Sequence, residues 1–300
     1  KRPNETARVF EQIRKAQPPK LFIVADGPRN DGEKKLTDAV RSVVEKIDWP
    51  CVVEQNYSEK NLGCRERVAS GLDWAFGRLT NPTDGAIILE DDCLPDQTFF
   101  AYCEEMLEKY KNEPKVMHIA GVNFQEKSVQ ESYYFSHIAQ IWGWATWKRA
   151  WDLYDGEMST WPALKNAPRM QESFPNRVTH HYWSTMFDGM HAGKMDTWDV
   201  AWTYTVFKEH GLSIMPKVNL VENIGSTTDA THKASRFTHH PSSPLIFPLT
   251  HPKEIKVDEA ADLFTYRKIY GINPSLRNTV VAFVKEKLPF LFQHVKRLVK

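Results

Sequence analysis

Apolar residues recur along the first 125 positions with two alternating periods. Val9, Phe10, Ile13 and Ala16 fall on one face of a helix over residues 4–17. The run Leu21-Phe22-Ile23-Val24-Ala25 then reads as a short strand and stops at Asp26-Gly27-Pro28, a turn signal. Leu36, Ala39, Val40, Val43, Val44 and Ile47 make residues 33–47 an amphipathic helix, and Cys51–Glu54 follows as a strand. The helical period returns at Val68, Leu72, Ala75, Phe76 and Leu79 within 64–79. Ala86–Leu89 is a strand, Phe100, Cys103, Leu107 and Tyr110 mark a helix, and Val116–Ala120 is a further strand.

Helices alternating with short apolar runs predict an α/β fold. The expected form is a mostly parallel central sheet flanked by helices, with ligands beyond the carboxyl ends of the strands. Lys1-Arg2-Pro3 leads straight into the first helix, whereas an α/β domain ordinarily begins on a buried strand. The expectation is therefore a chain that starts just after its first strand. The second half reads differently. Residues 133–210 hold Trp142, Trp144, Trp147, Trp151, Trp161, Trp183, Trp198 and Trp202, with a helix signalled by Val200, Ala201, Tyr204 and Phe207. Residues 225–252, rich in Ser, Thr, His and Pro, read as a long loop or lid. The tail, 277–300, mixes apolar residues with Lys285, Lys287, Lys296, Arg297 and Lys300.

Bulk properties narrow the function classes. A formal net charge of +1 over 300 residues lacks the basic excess of nucleic-acid binders. The four cysteines, Cys51, Cys64, Cys93 and Cys103, match no zinc or CxxC spacing. A reducing compartment fits them best, and two disulfides remain an alternative. No signal peptide is visible, and no apolar run approaches the roughly 18 residues of a membrane span. The expected location is the cytoplasm. Contact with an anionic membrane through the basic tail stands against a packed terminal helix interrupted by Pro289, the reading we favour.

The segment Ile87-Ile88-Leu89-Glu90-Asp91-Asp92 drives an apolar strand into three carboxylates. Adjacent carboxylates repel unless a cation or hydrogen bonds compensate them. Such a strand end suits Mg2+ or Mn2+, which takes phosphate oxygens as further ligands. The competing reading, a solvated turn capping the next helix, is weakened by the buried-strand pattern before it and the Leu94-Pro95-Asp96 turn after it. Asn61-Leu62-Gly63-Cys64-Arg65-Glu66-Arg67 sits between a strand and a helix. Its glycine and helix start could bring N–H groups to an anion, with Arg65 or Arg67 adding charge, or it is a tight turn with two solvated arginines. Cys64 and Cys93 read as small buried residues. Around Trp142-Gly143-Trp144 the choice lies between core packing and a wall for sugar C–H groups, and the glycine-flanked pair favours the wall.

The string "IILEDDCLPDQTFFAY" resembles the acidic motif of GT-A-fold glycosyltransferases. It is most similar to N-acetylglucosaminyltransferase I and to bacterial proteins described as glycosyltransferases or haemolysin-like. "KRPNET", "FIVADGPRN" and "NLGCRERVASGLDWAF" share the resemblance, which covers roughly the first 125 residues and returns at 142–151 and 198–232. It implies a GT-A, Rossmann-like fold. Residues 1–125 would bind the nucleotide-sugar donor, 126–255 the acceptor, and 256–300 form a helical tail. By position, Glu90 would bond the ribose, Asp91 the donor sugar and Asp92 the metal. Asp26 and Arg2 would lie at the nucleotide. An inverting transfer needs one carboxylate to deprotonate the acceptor. Asp199, in Trp198-Asp199-Val200-Ala201-Trp202, is the first choice, with Asp196 in reserve and a helix N-cap as the alternative reading. His232 falls in a segment that resembles the late "N-x-G…ATH" loop of the bacterial relatives, which implies that it would be an additional metal ligand or a diphosphate contact.

The implied activity is transfer of a sugar from a nucleoside diphosphate, UDP favoured, to a glycan or lipid-linked hydroxyl. The reaction would depend on Mn2+ or Mg2+ and serve glycan or surface-polysaccharide synthesis. The alternatives are a sugar nucleotidyltransferase, which would ordinarily carry a glycine-rich amino-terminal signature, and a non-catalytic carbohydrate-binding protein, which would not need the acidic triplet.

Overall fold

The computed structural model describes residues 1–126, 129–168, 170, 174, 176–225 and 240–272. The amino-terminal half alternates as the apolar periods predict. Helix α1 (Pro3–Ala16) starts on a proline, whose fixed φ and missing N–H suit a first helical position, and stops at Gln17 in the left-handed conformation. Strand β1 (Lys20–Ala25) follows, then α2 (Asp31–Val44), whose first turn is capped by Asn30 accepting from the Glu33 N–H at 3.0 Å. Next come β2 (Val52–Tyr57), α3 (Gly63–Phe76), β3 (Gly85–Ile88), β4 (Cys93–Pro95), α4 (Thr98–Lys109) and β5 (Val116–Ala120). The second half adds β6 (Tyr133–Ser136), β7 (Trp144–Trp147) and two short helices, α5 (Lys148–Trp151) and α6 (Trp161–Leu164). It continues with α7 (Arg177–His191), α8 (Asp199–Lys208), β8 (Leu212–Pro216), β9 (Val221–Asn223) and α9 (Glu259–Lys268).

The fold is mixed α/β, but the expected mostly parallel sheet is not what forms. The largest sheet has the order β3-β7-β5-β8-β6. Only β5 and β8 pair in parallel; β3 with β7, β7 with β5, and β8 with β6 are antiparallel. The parallel expectation came from the first half, where helices connect successive strands, and it holds there for β1 and β2, bridged by α2. In the second half β7 slides between β3 and β5 against the direction of both, so the aromatic segment supplies strands without crossover helices.

The core sits under this sheet. Every residue of β5, β6, β7 and β8 is buried, as are residues Val200–Phe207 of α8. Trp144, Trp151, Trp198 and Trp202 pack together, with Trp144 stacked on Trp198 at 5.4 Å between ring centroids. His118 lies among them. Its Nε2–H donates to the Gln140 carbonyl at 2.8 Å, so Nδ1 is left to accept from Trp202 Nε1–H at 3.2 Å. Burial holds this imidazole neutral, with its pKa pushed down to about 4. Among the described residues no helix is long and apolar enough to cross a membrane. The tail and residues 226–239 of the expected loop lie outside them; residues 240–252 carry no helix or strand.

Candidate functional site

The acidic triplet lies where the largest sheet gives way to a second, small one. β3 ends at Ile88, the chain turns through Glu90 with the Cys93 N–H donating to its carbonyl at 3.1 Å, and β4 then pairs antiparallel with β9. That pairing, with no counterpart in the sequence reading, carries the 221–225 segment onto the triplet. The Ile224 N–H donates to the Asp92 carbonyl at 2.8 Å. Gly225 packs so closely that a Cβ there would fall 2.2 Å from Asp92 Oδ2.

Arg2 supplies the triplet's compensating charge. It stands just before α1, donates through Nε and Nη2 to the carboxylate of Asp91, and ion-pairs with Asp92 Oδ2 at 3.0 Å. One guanidinium does not balance three carboxylates. Burial, then the charges of Asp92, Asp91 and Asp199, push the pKa of Glu90 up to about 8. Asp92 is also raised, by burial first, with Arg2 opposing.

The same corner receives the start of α3 and the start of α8. Gly63 takes φ +82°, where a side chain would be strained and a Cβ would lie 3.1 Å from Asp196 Oδ2. Asp196 accepts the Arg65 N–H at 3.2 Å, so it satisfies a free donor in the first turn of α3. Asp199 is the first residue of α8. Trp198 precedes it as the N-cap without a side-chain cap bond, and the Asp199 carboxylate accepts from the Thr197 hydroxyl. Its charge is felt at Glu90, Cys64, Tyr154, Tyr182 and Tyr270. Cys64, in the first turn of α3, is within reach of carboxylates from the triplet and from the start of α8. Burial, then the carboxylates of Glu90, Asp199, Asp196 and Asp92, drive its thiol up to about 12, which makes it a poor nucleophile. All four cysteines are free.

The structure therefore brings Arg2, Glu90, Asp91, Asp92 and Asp199 to one corner, and the remaining candidates divide. The Asp26 carboxylate accepts from the backbone of Gly27, Leu62 and Gly63 and from Asn61 Nδ2 at 2.8–3.2 Å, so it fastens the 61–63 loop to the end of β1. Arg65 reaches away from the triplet, to the Gly156 carbonyl and Glu157, each at 2.8 Å. Arg67 is buried and donates to the carbonyl and side-chain oxygens of Asn56. Neither guanidinium is free to meet a diphosphate in this arrangement. Trp142 is partly buried and packs edge-on to Phe124 at 5.6 Å. Trp144 is a correction: it is fully buried in the tryptophan core and offers no face to a sugar. His232 lies outside the described residues.

Asp91 and Asp92 are hard oxygen donors of the kind Mg2+ and Mn2+ prefer. Among the described residues, however, no three His, Cys, Asp or Glu side chains converge on one point. Tyr182 of α7 and Tyr270 after α9 are neighbours of the site that sequence reasoning missed. Their rings meet at 5.6 Å and both phenols are raised, by burial first. Only tertiary packing joins them to Asp199, so no local pattern announces them. No known protein-family model matches the chain, and no curated protein matches it.

Proposed function

We propose that the chain is a nucleotide-sugar-dependent glycosyltransferase of the GT-A type, and that the corner between β3, α3 and α8 is its donor site. The observation that carries this reading is that the charge of Asp199, 107 residues further along the chain than Asp92, is felt at Glu90 of the strand-end triplet. A solvated acidic turn gives no reason for a distant carboxylate to join a partly buried triplet that one guanidinium already fails to neutralise. A site that takes a divalent cation with a sugar diphosphate does.

In this reading Asp92 holds the metal, with His232 as the expected partner, while Glu90 and Asp91 bond the ribose and the donor sugar. Bound Mn2+ or Mg2+ supplies Lewis-acid stabilisation of the departing diphosphate. Arg2, already bridging Asp91 and Asp92, fixes the two carboxylates and adds positive charge beside the leaving group. Asp199, oriented by Thr197, takes the proton from the acceptor hydroxyl. The acceptor oxygen then bonds to the anomeric carbon as the carbon–oxygen bond to the diphosphate breaks, and the nucleoside diphosphate leaves with that electron pair, inverting the centre. Asp26 acts on the nucleotide side by holding the 61–63 loop. The acceptor is a glycan or lipid-linked hydroxyl.

Burial of Trp144, Trp147, Trp198 and Trp202 removes most of the aromatic surface that a purely sugar-binding protein would use. The test is Asp199→Asn, read by slow hydrolysis of UDP-sugars with Mn2+. Turnover falls by about 100-fold or more, the usual worth of a general base, while nucleotide affinity is unchanged. Unaltered turnover contradicts the assignment.

A further inference from the structure

Three tyrosines gather at the start of α8. Tyr154, stacked on Trp151 at 4.4 Å between ring centroids, donates its hydroxyl to the Trp198 carbonyl at 3.1 Å, one residue before Asp199. Tyr182 of α7 and Tyr270, just beyond α9, pack against the core cluster that contains Val200 and Ala201, the two residues after Asp199. Their rings meet at 5.6 Å and are splayed by 54°, and both residues are partly exposed. The charge of Asp199 is felt at all three phenols. Gln140 adds a polar group. It is 8% exposed, and its side-chain Nε2 has no hydrogen-bond partner. That amide lies at the phenol of Tyr270. The Gln140 carbonyl is tied to the same corner: it accepts from His118 at 2.8 Å, His118 stacks on Trp144, and Trp144 stacks on Trp198. A buried donor without a partner in a native fold asks for an explanation, and a ligand that closes over it is one.

We propose that Tyr182 and Tyr270 form the acceptor platform beside Asp199, and that the hydroxyl which attacks is carried by a sugar ring. The proposal rests on the reading of Asp199 as the base and deepens it. The transfer itself is the one given above: Asp199 takes the proton, the sugar oxygen bonds to the anomeric carbon, and the diphosphate leaves with the electron pair. The chemistry of the platform selects the sugar. One sugar ring offers both a C–H face for the tyrosine rings and hydroxyls for the phenols and the Gln140 amide. An alkyl alcohol would cover the rings and leave those polar groups unmatched. A serine or threonine side chain is too small to span two rings set 5.6 Å apart. The assignment extends the acceptor site past residues 126–255, to Tyr270, and gives it two residues from distant helical segments that only the fold brings together.

The probes are the methyl glycosides of glucose, galactose, mannose and N-acetylglucosamine, with octanol and a serine-containing peptide as comparators. Saturation-transfer NMR on the full chain, with UDP and Mn2+ present, is expected to show contact at the C–H protons of at least one glycoside. Tyr182→Ala weakens that glycoside about tenfold, the scale of a lost aromatic contact, and Tyr182→Phe, which keeps the ring, binds it nearly as well as the parent. Alanine sustains α7, so circular dichroism of the variant matches the parent. Supplied with UDP-sugars and Mn2+, the parent attaches a sugar to the same glycoside, detected by mass spectrometry, and Tyr182→Ala raises its KM about tenfold. A glycoside whose affinity ignores both Tyr182→Ala and Tyr270→Ala overturns the proposal, as does transfer to octanol or the peptide alone. Binding of no glycoside by protein that binds UDP with Mn2+ overturns it too, and leaves the donor site standing. Tyrosine-dependent glycoside binding by protein that takes no nucleotide supports the platform as a sugar site and sinks the donor reading instead.

Discussion

Four donors converge on the carboxylate of Asp26: three backbone N–H groups and the amide of Asn61. Hydrogen bonds to a charged acceptor are each worth about 1.5–3 kcal/mol, and solvent exposure of this loop places the sum toward the low end. Asp26→Ala is therefore expected to destabilise the protein by about 2 kcal/mol, seen as a lower urea midpoint with an unchanged m value. An unchanged midpoint would mean that the loop holds its own shape. Such residues show what a sequence does and does not disclose. That Asp26 and Glu90–Asp92 end strands was legible, because apolar runs stop there. That Asp26 fastens its neighbouring loop, or that Arg67 turns inward to Asn56, was not, because both depend on which loop the fold places alongside. Trp144 misled for a related reason. A glycine-flanked tryptophan looks the same in sequence whether it lines a cleft or fills a core, and here the neighbouring Trp198 and Trp202 enclose it.

At the scale of elements, helices and strands of the first half follow from periodicity within a few residues, since each buries one stripe or face. α7 and the β4–β9 pairing were not legible. The first lies in a stretch where His, Tyr and Trp blur the helical period, and the second unites three-residue strands whose nearest paired residues, Pro95 and Val221, are 126 positions apart. α9 offers a quantitative test. Asp262 is buried against β6, where its carboxylate accepts from the Ser136 hydroxyl and from the His137 N–H at 3.0 Å. Burial dominates, and its pKa is raised to about 7. A carboxyl group raised on folding binds its proton more tightly in the native state than in the unfolded one. It costs nothing below pH 4, and its cost grows as pH rises through about 7. Asp262→Asn keeps a donor and an acceptor in place without that titration. The stability difference, variant minus wild type, is expected to rise between pH 4 and 7 and to level off above, measured by urea unfolding across that range. A flat difference would show that Asp262 is ionised throughout.

For the whole molecule, the charge balance conceals a local excess. The chain carries a net +1, yet the carboxylates of Glu90, Asp92, Asp196 and Asp199 all act on Cys64, and among the described residues Arg2 pairs only with Asp91 and Asp92. The mixed α/β class was legible from alternating helices and strands; the antiparallel majority in the largest sheet was not, because strand direction is set by connections the aromatic half hides. The triplet could be read from sequence as a candidate site, and Asp199 only as a position in a motif; their proximity is a product of the fold. If that corner is a donor site, its carboxylates take a cation together with a nucleotide. The direct measurement is calorimetric titration of UDP, GDP, CDP and ADP, each with and without Mn2+, into the protein and into Asp92→Ala. The account predicts that one nucleotide, UDP first, binds only with Mn2+, and that Asp92→Ala abolishes this binding while the protein remains folded by circular dichroism. Binding of no nucleotide under either condition by folded protein, or metal-dependent binding that Asp92→Ala leaves intact, would contradict it.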